Sequence, residues 1–339
     1  MRIAVNGLGR MGKLLLRRLF DTGLGDRVAL VNEPEADAET AAFLLEFDSV
    51  HGRWRRSVAA QDGDLKVDGH RIRLQQVGRL EALDLAGCGI DLAVDCSGRF
   101  KTAMRLAPYF DNGVATVLVS APVKDADALN LVYGVNHGLY DPARHRLLTA
   151  ASCTTNCLAP VVKVVHERFG IVHGSITTIH DVTNTQTLVD RPHKDLRRAR
   201  SALTSLIPTT TGSATAIGLI YPELAGRLNG HAVRVPQLNA SLTDCVFELA
   251  RDTTEAEVNT AFREAAAGPL QGILGFEDRP LVSADYLDDP RSAIVDGPCT
   301  MVVNRRQLKV YAWYDNEWGY VCRMADILAM VAAARDAAA

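Results

Sequence analysis

Close to its N-terminus the chain carries Gly7-Leu8-Gly9-Arg10-Met11-Gly12, a GxGxxG pattern. It lies between the apolar run Ile3-Ala4-Val5 and residues 11–20, where Met11, Leu14, Leu15 and Leu19, with Arg18, give a mixed apolar face at helical spacing. The first glycine permits a tight turn, the second lets a pyrophosphate approach the backbone, and the third lets helix pack on strand. The helix N-terminus adds N–H groups and a positive dipole end. Glycines often only mark turns, so the pattern gains its weight from the strand before it and the helix after it. A second strand at residues 27–31 leads to Glu33, roughly twenty residues past the glycines. An acid there accepts hydrogen bonds from the adenosine ribose and repels a 2′-phosphate, which predicts NAD in preference to NADP.

A helix is expected at residues 38–47 and strands at 92–95 and 116–120, the alternation of a parallel, doubly wound sheet. Near residue 150 the pattern changes. Ser152-Cys153-Thr154-Thr155-Asn156 opens a helix with Ser152 as N-cap, although Pro160 counts against a helix by propensity. Strands are expected at 174–180, 232–235, 240–249 and 308–314, a helix at 254–267, and an Ala-rich helix from 318 to 338. The fold class is α/β: a Rossmann-type sheet over residues 1–152, joined by a C-terminal helix over 316–339, and an α+β catalytic domain with a mixed or antiparallel sheet over 153–315. A length of 339 residues fits two domains.

Lys plus Arg number 37 and Asp plus Glu 40, a net charge of −3 that gives no bulk attraction to nucleic acid or anionic membranes. No apolar run approaches the roughly 18 residues of a membrane helix, and the first residues enter a strand instead of a signal-peptide core. The chain is read as cytoplasmic. Seven cysteines, with no CxxC pair, point to free thiols and to no metal site.

One of those thiols has an unusual setting. Cys153 falls in the first turn of a helix, where the dipole favours thiolate, among Ser, Thr and Asn neighbours that suit an anion better than a core. A free cysteine is more often a small buried hydrophobe. His180, however, ends the strand Ile176-Thr177-Thr178-Ile179-His180 and points into a polar loop, and a histidine paired with a cysteine can activate the thiolate. Cys157, one turn further along, is expected to be buried and without a catalytic role.

These segments, with Phe47-Asp48-Ser49-Val50-His51-Gly52, Ala151-Ser152-Cys153-Thr154-Thr155-Asn156-Cys157, Pro208-Thr209-Thr210-Thr211-Gly212 and Trp313-Tyr314-Asp315-Asn316-Glu317, resemble the phosphorylating glyceraldehyde-3-phosphate dehydrogenases along the whole chain. The resemblance implies that Cys153 attacks the aldehyde of glyceraldehyde 3-phosphate. His180 takes the hydroxyl proton as hydride leaves, and inorganic phosphate resolves the thioester. It places Ser152, Thr154, Thr211 and Gly212 around the attacking phosphate, and Thr183, Arg198 and Arg234 around the substrate phosphate. Arg10 and Met11 match the pyrophosphate turn, Arg79 an adenine-side contact, Ser97 and Ser120 further cofactor contacts, and Asn316 a contact near the nicotinamide amide. The implied assembly is a homotetramer.

Departures from the family pattern carry information. Glu33 stands where Asp is usual, and Asp181 follows His180 where small residues are usual, an acid able to alter the titration of His180. In the loop that faces a neighbouring subunit's cofactor in the family, Pro192 fits NAD enzymes, whereas Arg191 leaves room for NADP. Asn32-Glu33 is similar to erythrose-4-phosphate dehydrogenases, which usually lack the Thr-Gly present here at 211–212. Residues 47–54, 121–125, His180-Asp181 and 239–249 look more like the arsenic-resistance-linked branch, for which arsenate replaces phosphate and the product is 1-arseno-3-phosphoglycerate. A non-catalytic Rossmann regulatory or binding protein predicts a broken site, and an aspartate-semialdehyde type of enzyme does not need this oxyanion set.

Overall fold

The computed structural model describes residues 1–337. They form two compact units, one of residues 1–133, 137–152 and 321 onward, the other of residues 134–136 and 153–320.

The first unit contains β1 (Ile3–Asn6), α1 (Arg10–Asp21), β2 (Val28–Asn32), α2 (Ala38–Glu46), β3 (His70–Gln75), β4 (Leu92–Asp95), α3 (Ala103–Asp111), β5 (Thr116–Val119), β6 (Ala128–Asn130) and β7 (Leu147–Thr149). The strands run in the order β6-β7-β5-β4-β1-β2-β3, all parallel, and an antiparallel hairpin of Asp64–Val67 and Val58–Gln61 extends the sheet beyond β3. Every residue of β1, β4 and β5 is buried, as expected where helices cover both faces of a parallel sheet. The expected doubly wound sheet is present. Its strand order reverses at β1, so the switch point lies between β1 and β4.

Helix α1 buries more than the expected apolar face, because Leu16 and Arg17 are buried as well. The Arg17 guanidinium is tolerated there because it donates to the carbonyls of Leu45 (2.8 Å), Glu46 (3.2 Å) and Gly52 (3.3 Å). The C-terminal helix α7 (Trp318–Asp336) buries Val321, Met324, Leu328 and Val331 at helical spacing. The expectation that it continues to 338, or to 339, falls on residues 338 and 339, outside those described.

In the second unit, α4 (Cys153–Phe169) is followed by β8 (Ile171–His180), β9 (Ile207–Thr210), α5 (Ser213–Ile220), β10 (Leu228–Arg234), β11 (Ser241–Leu249), α6 (Glu255–Ala267), β12 (Leu274–Glu277), β13 (Ala293–Asp296) and β14 (Gln307–Tyr314). Helix α4 runs through Pro160, so burial of most of its residues overrides the local penalty. Thr254 caps α6 by accepting from the Glu257 N–H. The sheet order is β9-β10-β8-β11-β14-β13-β12. It is mixed: β8 pairs with β10 and β12 with β13 in parallel, and the remaining neighbours are antiparallel. Along β11 and β14 buried residues alternate with half-buried ones, so one sheet face packs on the core. Two register facts place the site. His180 stands opposite Arg234 at the end of the β8–β10 ladder, and Ser241 opposite Tyr314 at the end of β11–β14. Among the described residues, no helix is long and apolar enough to cross a membrane.

Candidate active site

In the first unit the three glycines of the loop have different surroundings. Gly7 has φ +92°, and a Cβ there would sit 2.8 Å from the Ser97 backbone nitrogen. A Cβ on Gly12 would lie 1.9 Å from the Gly7 carbonyl oxygen, so α1 and the turn after β1 touch only because residue 12 is glycine. A Cβ on Gly9 would meet no protein atom within 4 Å. Among the described residues, nothing fills the space beside Gly9 and no side chain caps α1, whose N-terminus it forms. That open, uncapped helix end fits a pyrophosphate.

Gly7, Gly9, Glu33, Arg79 and Ser97 line one cleft at the carboxyl ends of β1, β2 and β4. Glu33 is held in place there, accepting from the Leu8 N–H (2.8 Å) and the Glu35 N–H (3.2 Å). Arg79 is highly exposed, its guanidinium 3.6 Å from Glu81. Arg10, expected at the pyrophosphate turn, pairs its guanidinium with Asp48 of the Phe47–Gly52 segment. Burial opposes ionisation of Asp48, but Arg10 and the N–H groups of His51 and Val50 outweigh it and hold the carboxyl well below the usual range. Met11 follows in the first turn of α1. Ser120 lies just past β5, its N–H donating to the Asp95 carbonyl (2.9 Å), and is not part of the cleft wall.

In the second unit, Cys153 begins α4 and its Sγ lies 3.7 Å from His180 Nε2. Burial works against the thiolate, but the hydrogen bond and charge of His180 lower the thiol pKa, with help from Arg234 and against the charge of Asp181. Burial likewise disfavours the imidazolium, but the carboxylate of Asp181 and the hydrogen bond and charge of Cys153 push His180 up to about 9. Arg234 Nη1 stands 2.8 Å from His180 Nδ1 and donates to the Asp181 carbonyl at 2.9 Å. Its Nε is buried and has no partner among the described residues.

The remaining expected positions are distributed around this pair. Arg198 donates to Thr209 Oγ1 (2.9 and 2.7 Å) and approaches Thr185 Oγ1 (3.5 Å), which in turn lies 2.9 Å from Thr183 Oγ1. Thr211 donates to Ser213 Oγ at 3.2 Å, and Gly212 precedes α5, where a Cβ would meet nothing. Ser152 is the half-buried residue just ahead of α4. The Thr154 hydroxyl is buried against Tyr314 Oη at 2.9 Å. Asn316, expected at the nicotinamide, is buried with its amide bonded to Asp181 and Ser241. Sequence reasoning did not single out Tyr314 or Ser241. The strand alternation that turns both toward α4 is the signal that could have found them.

Sequence models of the family agree with this architecture. The NAD-binding domain of glyceraldehyde 3-phosphate dehydrogenase matches residues 1–103, and the C-terminal domain of that enzyme matches residues 152–316. Glyceraldehyde-3-phosphate dehydrogenase 3 of Nostoc sp. is 59% identical over 333 residues, 98% of each chain. The glyceraldehyde-3-phosphate dehydrogenase of Geobacillus stearothermophilus is 45% identical over 332 residues, 98% of each chain. Glyceraldehyde-3-phosphate dehydrogenase 2 of Bacillus subtilis is 44% identical over 334 residues, 98% of this chain and 97% of the relative. Fold and matches together define an NAD-dependent oxidoreductase with a Rossmann unit and a separate catalytic unit. The chain belongs to the glyceraldehyde-3-phosphate dehydrogenase family.

Proposed function

We propose that this glyceraldehyde-3-phosphate dehydrogenase works through a covalent thioester on Cys153 and that its acceptor is an inorganic oxyanion, arsenate as well as phosphate. The observation that carries the reading is the Cys153–His180 pair at 3.7 Å, with Arg234 on the far ring nitrogen. Cys153 Sγ attacks the aldehyde carbon as the thiolate, and the His180 imidazolium gives its Nε2 proton to the carbonyl oxygen to form a thiohemiacetal. His180 Nε2, now neutral, takes the hydroxyl proton back as the hydride departs. Bound NAD would supply the hydride acceptor. The oxyanion then attacks the thioester carbonyl, and Cys153 leaves as the thiolate, stabilised by His180. Arg198 and the free Nε of Arg234 supply cationic donors for the phosphate groups. Thr183, Ser152, Thr154, Thr211 and Gly212 complete the oxyanion sites, with Thr154 contributing by its backbone, since its hydroxyl is occupied.

On the same reading the nucleotide-binding domain is residues 1–152 with the C-terminal helix, the catalytic domain is 153–315, and the enzyme is a homotetramer. Gly7, Gly9, Arg10, Met11, Gly12, Glu33, Arg79, Ser97, Ser120 and Asn316 serve the cofactor. Arsenate use rests on the resemblance of residues 47–54, 121–125, His180-Asp181 and 239–249 to the arsenic-linked branch; phosphate and arsenate share shape and charge. Initial rates with glyceraldehyde 3-phosphate and erythrose 4-phosphate, each with phosphate and with arsenate, test it. Comparable kcat/KM for both acceptors is expected with glyceraldehyde 3-phosphate. A preference for erythrose 4-phosphate, or no rate with arsenate, rejects the reading.

Two predictions concern the cofactor. Gly12→Ala forces backbone apart at the Gly7 carbonyl and should cost about 1–3 kcal/mol of stability, read as a lower denaturation midpoint. Gly9→Ala meets no protein atom, so it should melt like the wild type yet bind NAD more weakly in a fluorescence titration. Equal melting losses for both would remove the argument. Glu33→Gln keeps an oxygen for the Leu8 N–H but removes the charge, so the ratio of kcat/KM for NAD over NADP should fall about tenfold, the scale of one charge-assisted hydrogen bond. An unchanged ratio would shift attention to Arg191.

A further inference from the structure

Two basic groups are forced together where β8 and β10 end. The ladder register sets His180 opposite Arg234, and the ring Nδ1 comes within 2.8 Å of the guanidinium. An imidazolium that close to a buried guanidinium is repelled by it, so Arg234 alone would drive His180 to its neutral form. The residue that opposes this is Asp181, which is 1% exposed. Its Oδ1 lies 2.6 Å from His180 Nδ1 without completing a hydrogen bond there, so it acts on the ring by charge, while the Asp181 backbone carbonyl lies 3.0 Å from the same nitrogen. Its Oδ2 accepts from Asn316 Nδ2 at 2.8 Å, and its backbone N–H donates to Ser241 Oγ at 3.2 Å. Ser241 Oγ donates in turn to Asn316 Oδ1 at 2.9 Å. Asn316 thus holds the carboxylate and Ser241 holds the backbone of the same residue, both from distant parts of the chain, and the carboxylate lies beside the ring nitrogen that faces away from Cys153.

We propose that Asp181 is a positioning residue of the reaction: it holds His180 by Nδ1, turns Nε2 toward Cys153, and keeps the ring cationic beside Arg234, so that Cys153 is a thiolate before substrate arrives. The proposal rests on Cys153 being the nucleophile. The groups facing His180 are Cys153 from α4, Asp181 beside it, Arg234 from β10, and Tyr314 from β14, edge-on with ring centroids 6.1 Å apart. Burial holds the Tyr314 hydroxyl well above its ordinary pKa, so it stays neutral. Arg198 acts only at one remove, by its charge on Arg234. Asp181 directly opposes the Cys153 anion, but it acts on His180 at bonding distance, and the net result is a lowered thiol.

The test is the pH dependence of iodoacetamide alkylation of the full-length protein from about pH 5 to pH 9, with the modified cysteine identified by peptide mapping. Asp181→Asn keeps the shape and removes the charge. Its Cys153 profile should move up by about one pH unit, with alkylation about tenfold slower at the acidic end. A purely structural role would lower the yield of folded protein and leave the profile of the folded fraction unmoved. Superimposable profiles from two proteins that melt alike overturn the proposal. Should the variant fail to fold, ¹⁵N histidine spectra of the wild type decide: an imidazolium at His180 at neutral pH supports the proposal, and a neutral ring overturns it. If the fast-reacting thiol maps elsewhere than Cys153, it is the nucleophile assignment that fails.

Discussion

Replacing Cys153 with serine is expected to lower dehydrogenase turnover by at least about a thousandfold, the scale on which removal of a nucleophile acts in other enzymes, while NAD binding stays near normal. A hydroxyl at that position stays protonated at neutral pH, whereas the thiol is shifted toward thiolate by His180. The control lies one helical turn away. Cys157 is fully buried, its Sγ near Thr243 Oγ1 (3.5 Å) and the Ala312 carbonyl (3.8 Å). Burial pushes its pKa up to about 12. Cys157→Ser should keep substantial activity. Near-normal turnover by the Cys153 variant, with NAD binding checked by titration, would end the thioester mechanism.

Arg234→Leu is expected to lose ten- to a hundredfold or more in kcat/KM for glyceraldehyde 3-phosphate, since one charge-assisted hydrogen bond contributes roughly 1.5–3 kcal/mol and each 1.36 kcal/mol is about tenfold in rate. The variant also removes a cation from beside His180, which favours the imidazolium and disturbs the chemistry with any substrate. Comparison with unphosphorylated glyceraldehyde separates the two effects: the loss there should be much smaller. Arg198→Leu should show the same dependence. Arg200, exposed and paired with Asp190 at 2.8 Å, and the exposed Arg197 are the controls. Four variants with equal, small losses that ignore the substrate phosphate would return all four arginines to the solvated surface.

The parts of the fold legible in the sequence are those where one physical demand dominates. Strands β1, β2, β4 and β5 are short apolar runs because both sheet faces are covered, and a run of that kind has few other readings. The hairpin at 58–67 was missed because its strands are only four residues long, one alternating half-buried with exposed residues and the other half-buried with buried ones. Helix α3 carries Pro108, and its first turn is held from outside by the Asp125 carboxylate on the Ala103 N–H, a contact with no local signature. In the site, the polar setting of Cys153 and the strand end at His180 were visible locally. Arg234 was reached only by resemblance. The Asp181–Asn316 and Ser241–Asn316 bonds join residues 135 and 75 positions apart, so no spacing rule reaches them.

Pairing of His180 with Arg234 is the last rung of a parallel ladder that begins at Gly174 and Leu228. The alignment of a proton acceptor with an anion-binding cation is therefore inherited from backbone hydrogen bonds several residues upstream. Midway along, Gly230 faces the Ile176 carbonyl so closely that a Cβ would stand 2.2 Å from its oxygen. A methyl group added there touches neither substrate nor cofactor, yet it pries the two strands apart and tilts the rung on which the chemistry sits. Inherited changes in this stretch would look like damage to the active centre in a kinetic assay while lying entirely in the scaffold. A search for activity-altering variants confined to residues near the thiol would overlook them.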